Sequence, residues 1–190
     1  MLEVGCGPGN LLIPLSYWVA HGTGIDNEIA LARLNARGAD AARVTTLAGN
    51  FLTMPLPTRV YSKILVYSVI QYLDTLETAL AFIGRALSLL QPGGRMLLGD
   101  LPNSDKKKRW SSSSAGIEVG AAWKQQINAA GEHPLADLPI DAKLVTVNDQ
   151  FVMNIMLNAR QAGVESYLLS QSPALPFGNS REDILFVRHK

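Results

Sequence analysis

The residues most able to do chemistry stand at the start of the chain. Glu3-Val4-Gly5-Cys6-Gly7-Pro8-Gly9 puts three glycines at alternate positions directly after an apolar stretch. Glycine has no Cβ and tolerates positive φ, so such a run lets the backbone turn sharply and approach a ligand closely. A helix starting behind it would present free N–H groups to the same space. The spacing disfavours a pyrophosphate: a dinucleotide site prefers its third glycine one place later, where Asn10 stands, and Pro8 removes an amide that such a cradle uses. It is not a P-loop either. A second acid, Asp26, follows Gly24-Ile25 about twenty residues on, a spacing at which a carboxylate can accept from sugar hydroxyls. The same residue also reads as an ordinary cap of the next helix.

The rest of the chain must position these groups. Its 190 residues, 47% hydrophobic, suffice for one domain with a sizeable core. With 17 basic and 16 acidic residues, the net charge of +1 supplies no general attraction to nucleic acid or to an anionic membrane. One cysteine cannot form an internal disulfide. The first residues lack the pattern of a signal peptide, and the longest apolar stretch, residues 11–20, is too short to span a bilayer. The expectation is a soluble cytoplasmic protein.

Apolar runs alternate with helix-like segments, the pattern of a parallel sheet covered on both faces. Strands are expected at residues 1–4, 21–26, 44–47, 61–69 and 95–99, with helices over 10–20, 28–37 and 75–90. Asn27 caps the second helix and Gly38 closes it, while Gln91-Pro92-Gly93-Gly94 breaks the third. The pattern degrades over 101–141, through Lys106-Lys107-Lys108-Arg109, four serines from Ser111, and Gly131-Glu132-His133-Pro134. That segment reads as a cap or mobile loop over the acceptor side, with the basic run on a solvated helix face. A helix over 150–161, ended by Gly163, and strands over 164–169 and 183–188 complete the chain. The last two strands lack an intervening helix and so form an antiparallel pair.

Leu2-Glu3-Val4-Gly5-Cys6-Gly7-Pro8-Gly9-Asn10 resembles the first motif of the class I S-adenosylmethionine-dependent methyltransferases, an acidic residue followed by Gly-x-Gly-x-Gly. Three further features carry the resemblance: Asp26 at the end of the second strand, Leu90 to Arg95 before the fifth, and the closing stretch Phe177 to Val187. It implies a three-layer α/β sandwich, a mostly parallel seven-stranded sheet of order 3-2-1-4-5-7-6 with a reversed last strand, in a single domain over 1–190. It also implies S-adenosyl-L-methionine as cofactor, with S-adenosyl-L-homocysteine as product. Glu3, Gly5, Cys6, Gly7, Gly9, Asp26, Asn27, Asn50, Phe51 and Ser68 are the cofactor residues implied. Members usually carry helices before the first strand, so upstream residues are expected to be missing, or a partner supplies the lid.

Two positions depart from the family pattern or leave it open. Gly49-Asn50-Phe51 stands where the family often has Gly-Asp and an apolar residue; Asn50 keeps a carbonyl acceptor for adenine but loses charge assistance, and the alternative reading is a turn residue beside a core Phe51. The fourth motif, Ile64 to Leu73, is neither the Asn/Asp-Pro-Pro-Tyr nor the Pro-Cys type. There Ser68, Gln71 and Tyr72 can reach substrate, and Asp100 at the end of the fifth strand can orient it or act as base. Cys6 has no paired histidine that would make it a nucleophile, and His21, His133 and His189 lack metal-ligand spacing, so no metal is expected. The expected activity is methyl transfer to a small molecule with an O or N nucleophile, of sugar or natural-product type. The competing reading is a non-catalytic subunit that binds the cofactor or its product. A homodimer or a partner subunit is compatible with either.

Overall fold

The computed structural model describes residues 1–38, 40–130 and 144–190. Seven strands form one sheet: β1 (Leu2–Val4), β2 (Gly22–Asp26), β3 (Val44–Ala48), β4 (Tyr61–Tyr67), β5 (Leu90–Pro102), β6 (Glu165–Ser170) and β7 (Arg181–Val187), in the order β3-β2-β1-β4-β5-β7-β6. The first five pair in parallel, and β7 runs antiparallel to both β5 and β6. This is the expected order and the expected reversal.

Side chains of a strand alternate between faces. Leu2 and Val4 of β1 therefore enter one core, with Ile25, Ile64, Val66, Met96, Leu98, Ile184 and Phe186 of the neighbouring strands. Two amphipathic helices cover that face, α3 (Leu76–Leu89) and α6 (Asp149–Gln161). Glu3, between Leu2 and Val4, faces the other way. On that side α1 (Leu12–Ser16) and α2 (Glu28–Ala36) enclose a smaller core of Cys6, Leu12, Leu31, Leu34 and Val44. Farther along the same face Tyr167 and Leu169 of the edge strand β6 stand exposed.

Local chemistry sets the helix ends. Asn27 accepts from the Ala30 amide, Thr75 from Thr78 and Asn148 from Phe151, each a side-chain cap satisfying an orphan N–H of the first turn. Gly38 and Gly163 leave α2 and α6 with positive φ, as helix exits commonly require.

Three expectations need correction. The first helix is only Leu12–Ser16, because the chain is still turning through Gly9 and Asn10 and leaves the helix at Tyr17. The fifth strand begins at Leu90, so Pro92 and Gly93 do not interrupt it; they sit where the β4 pairing shifts register, with Gly93 at φ 78°. The segment expected to lack regularity forms α4 (Ser104–Ser111) and α5 (Ser114–Ala130), while residues 131–141 of it, His133 included, lie outside the described residues.

Tertiary bonds hold α4 in place. Asn103, 1% exposed, caps it through the Asp105 and Lys106 amides, and donates its own amide to Asp149 at 2.8 Å and Glu182 at 2.7 Å. Lys106, part of the basic run, donates to the Arg181 carbonyl at 2.7 Å, so this face of the helix is docked on β7. Arg109 makes an exposed two-pronged bond with Asp149. One buried amide thus joins β5, α4, α6 and β7. Asn103→Ala removes the cap and leaves the Glu182 carboxylate without its donor, a loss of about 2–4 kcal/mol. Urea unfolding should read that loss as a lower midpoint at unchanged slope.

Candidate functional site

The glycine turn leaves β1 at the carboxyl edge of the sheet, between β2 and β4. Gly5, Gly7 and Gly9 have φ of 73°, 52° and 80°, all in the left-handed region open to glycine. The Gly5 and Cys6 amides donate to the Ile25 carbonyl at 2.8 and 3.2 Å, and the Gly9 amide closes the turn on the Cys6 carbonyl at 3.0 Å. A Cβ on Gly5 would collide with the Val69 side chain, and one on Gly9 would lie 2.9 Å from Ile13 and Leu34. Gly7 differs, since nothing lies within 4 Å of its Cβ position. Its amide side is turned toward Asp26 and its other side toward open space.

Asp26 ends β2 and locks the turn. Its Oδ2 accepts from the Gly7 amide at 2.7 Å, and its Oδ1 accepts from the Asn27 amide at 2.7 Å and the Asn27 side chain at 2.9 Å. A carboxylate offers about four acceptor positions, so this set leaves it capacity for one further donor. The N-cap function expected as the bland alternative for Asp26 belongs to Asn27.

Beside Asp26, a cleft is lined by Val4, Gly5, Ile25, Asn27, Gly49, Phe51, Val69 and Phe82. It adjoins a second cleft lined by Asn27, Glu28, Ala48, Gly49 and Asn50. Phe51 borders the first cleft while being 5% exposed; its ring packs against Phe82 at 4.7 Å between centroids, under the guanidinium of Arg85. It is a core residue with one edge on the site. Asn50 is exposed, and its Oδ1 accepts from the Leu52 amide at 2.9 Å, so it also shapes the turn after β3.

Glu3 is 3% exposed, and its Oε2 has no hydrogen-bond partner. Burial, with a smaller contribution from the Asp26 charge, pushes its carboxyl up to about 8. Cys6 points into the small core, where its Sγ would meet a Cβ on Gly24 at 2.8 Å; burial and the Glu3 and Asp26 charges push its thiol up to about 12. Its side chain is thus a packing group, and only its backbone belongs to the turn.

The remaining candidates gather at the ends of β4 and β5. Ser68 and Asp100 are non-glycine residues with φ of 58° and 62°, and the Ser68 hydroxyl donates to Asp100 Oδ2. Strained backbone of this kind persists only where surroundings enforce it. The enforcing bonds are visible: Ser68 N–H to the Gly99 carbonyl, Asp100 N–H to Asp183, and Arg181 to both the carbonyl and the carboxylate of Asp100 at 3.1 and 3.0 Å. Phe177 covers the other side of the Arg181 guanidinium at 5.2 Å. Burial and the charges of Asp100 and Asp183 raise the Tyr67 phenol nearby. Tyr72 lies apart, 67% exposed on the 3-10 turn Ile70–Tyr72. The structure therefore joins Gly5, Gly7, Gly9, Asp26, Asn27 and Phe51 in one place and Ser68 with Asp100 in another. Arg181 and Val69 were missed as site residues, since each meets its partner only through sheet pairing far along the chain. Among the described residues no group of His, Cys, Asp or Glu could hold a metal ion, and no helix is long and apolar enough to cross a membrane.

Comparison with known proteins agrees with this geometry. Residues 1–94 match the family described as "Methyltransferase domain". The ubiquinone biosynthesis O-methyltransferases of Rhodopseudomonas palustris and of a Bradyrhizobium species are 30% and 29% identical over 139 residues, 70% of this chain. The chain spans about half, 49%, of the length of these curated relatives. Among solved structures, the magnesium protoporphyrin IX methyltransferase of Synechocystis with bound S-adenosylhomocysteine superposes with a TM-score of 0.62 at 17% identity, covering 98% of this chain and 73% of that one. The N-methyltransferase NodS of Bradyrhizobium japonicum, also with S-adenosylhomocysteine, gives 0.66 at 15% identity, covering 100% and 77%. The structural likenesses carry the fold, and the domain match falls on the glycine turn, Asp26 and the turn after β3. The chain belongs to the class I S-adenosylmethionine-dependent methyltransferases.

Proposed function

We propose that this chain binds S-adenosylmethionine against the glycine turn and transfers its methyl group to a small-molecule acceptor through an oxygen or nitrogen nucleophile. The observation that carries the reading is the turn itself: three left-handed glycines, with Gly7 bonded to Asp26 and open space where its side chain would stand. The buried, unpartnered Glu3 oxygen beside it suits a ligand that brings positive charge. In this reading Glu3, Gly5, Gly7, Gly9, Asp26 and Asn27 hold the cofactor with the backbone of Cys6, Asp26 accepting from the ribose. Asn50 and Phe51 border the adenine end.

The sulfonium of the bound cofactor supplies a methyl group already activated for displacement. The chain is then asked for orientation and exclusion of water rather than for a strong electrophile. Ser68 borders the reacting end. Asp100, occupied by Ser68 and Arg181, serves as the anchor of that corner, and Tyr72, exposed on the turn apart from it, is the side chain this reading offers to the acceptor from solvent. Relatives named for O-methylation in ubiquinone biosynthesis and a fold neighbour named for N-methylation support both nucleophiles and the small-molecule class. α4 and α5, which follow the carboxyl end of β5, serve in this reading as the cap of the acceptor side.

Two outcomes are expected. S-adenosylmethionine or S-adenosylhomocysteine at a hundred times its Kd stabilises the protein by about 2.7 kcal/mol, a rise in Tm on the order of 5–10 °C. Asp26→Ala should weaken calorimetric binding at least tenfold, about 1.4 kcal/mol; a full-strength response from that variant would sink the assignment of the cleft. The second outcome concerns pH. Glu3 titrates near 8 when folded against an ordinary 4.5. The unfolded chain therefore binds fewer protons between those values, and stability falls as pH rises through that window. Glu3→Gln should raise the Tm at pH 8 on the order of 5 °C, with the advantage vanishing by about pH 4.5, as scanning calorimetry across pH would read.

A further inference from the structure

Glu3 and Asp26 form an acidic pair at the base of the glycine turn with an unusual division of labour. Asp26 is already well supplied by the turn: Gly7, Asn27 backbone and Asn27 side chain donate to its two oxygens, leaving room for one more donor. Glu3 is 3% exposed and receives nothing at Oε2. The titratable group that acts on it is Asp26 from β2, whose charge raises it, while the nearby Cys6 thiol of the turn is kept protonated by burial. No basic side chain contributes to its state. From β4, the residue paired with Glu3 is Leu65, which is apolar.

A buried carboxyl with no donor and a like charge beside it keeps its proton until something positive arrives. The two ligands of the reaction differ in that respect. S-adenosylmethionine carries ammonium, carboxylate and sulfonium, a net single positive charge. S-adenosylhomocysteine has lost the sulfonium charge and is net neutral.

Resting on the reading that the turn binds these ligands, we propose that Glu3 is the charge-discriminating residue of the site: it gives up its proton to solvent when the cationic donor binds and takes one back when the methyl group has left. The donor is thereby gripped by a carboxylate, and the neutral product is left beside a neutral acid. Product release is favoured by the same event that consumes the positive charge. Glu3 acts here through its field within a poorly solvated strand end, where one charge is felt far more strongly than in water.

The balance is simple. Binding the donor releases up to one proton per site, and no covalent bond to Glu3 forms or breaks. Its folded value near 8 means that the free protein enters neutral pH with this carboxyl mostly protonated.

The test is calorimetric titration of the full chain with S-adenosylmethionine and with S-adenosylhomocysteine, between pH 6.0 and 7.5. Each is run in phosphate and in Tris, whose ionisation heats differ, so that the difference counts protons. The expected result is release of roughly 0.5–1 proton with the donor, a clearly smaller number with the product, and donor affinity rising up to about tenfold per pH unit. Glu3→Gln, expected to fold at least as well as the parent, should abolish the release and flatten the pH dependence. In parallel, the carboxyl 13C resonance of Glu3 should move from its protonated to its ionised position on addition of the donor and not of the product. Donor binding with no proton released, equal release for both ligands, or unchanged release in Glu3→Gln would overturn the proposal while leaving the binding site intact. Absence of heat and of any Tm rise with either ligand would overturn the cofactor reading, and this proposal with it.

Discussion

A parallel sheet has to turn its chain out of a buried strand at the carboxyl edge and back into a covering helix, and after β1 it does so within residues 5–11. Left-handed backbone at Gly5, Gly7 and Gly9 makes that turn possible, and its amides are spent on β2: Gly5 and Cys6 on the Ile25 carbonyl, Gly7 on Asp26. Other parts are built to fit. Val69 of the β4 exit lies where only a glycine leaves room, Leu12 fills the space above Gly24, and Arg37 at the end of α2 reaches back to the Pro8 carbonyl at 2.8 Å. The turn therefore sets the spacing of β2, β1 and β4 and the seating of α1 and α2. What is left over is a concave wall of backbone with one acid beneath it.

That acid costs stability. A carboxyl at 3% exposure with an empty acceptor position is a group that folding alone would replace with a leucine. The second costly feature is the pair of left-handed side-chain-bearing residues, Ser68 and Asp100, on adjacent strands and bonded to each other. Both lie at the carboxyl ends of strands, the edge at which open α/β sheets take their ligands. Elsewhere the chain follows ordinary rules: helices capped by Asn27, Thr75 and Asn148, and cores of Leu, Ile and Phe on the two faces. Similar departures occur away from this edge, at Arg59 with φ 55° and at the unpartnered Nε of Arg188, but Glu3 and the Ser68–Asp100 pair concentrate them where the proposed chemistry occurs.

What could be read from the sequence was what is determined locally. The glycine turn, the caps of α2 and α3, the apolar β4 and the closing β6–β7 pair each carry their cause within a few residues, and their positions were legible to within two or three. The seven-strand order was not local and came through resemblance. The segment after Pro102 read only as a basic run on a helix face because α4 is polar and carries no apolar stripe: its cap Asn103 is local, but the amide of that side chain is satisfied only once β7 and α6 bring Glu182 and Asp149 to it. The fifth strand failed at Gln91-Pro92-Gly93-Gly94 for the converse reason, since a turn-like sequence is absorbed as a register shift when both neighbouring strands are already in place.

The same distinction divides the site. The cofactor half, from Gly5 to Asp26 and on to Phe51, lies within one run of βαβ units, so the short-range geometry that forms it also announces it. Cys6 is the exception: its type and place mark it as part of the motif, and only the packing of Leu12 and Gly24 against it turns its side chain away. The acceptor half is assembled from β4, β5 and β7, and its central bond joins Asp100 to a residue 81 positions away, Arg181, which has no local signature. Because β7 is the antiparallel strand, its start rather than its end reaches the ligand edge of the sheet. The reversal that distinguishes this topology is therefore also what brings a cation and its aromatic cover, Phe177, to the corner proposed for the acceptor. Variation in the β6–β7 connection can alter that corner without disturbing the glycine turn, which lies across β4 and β5 from it.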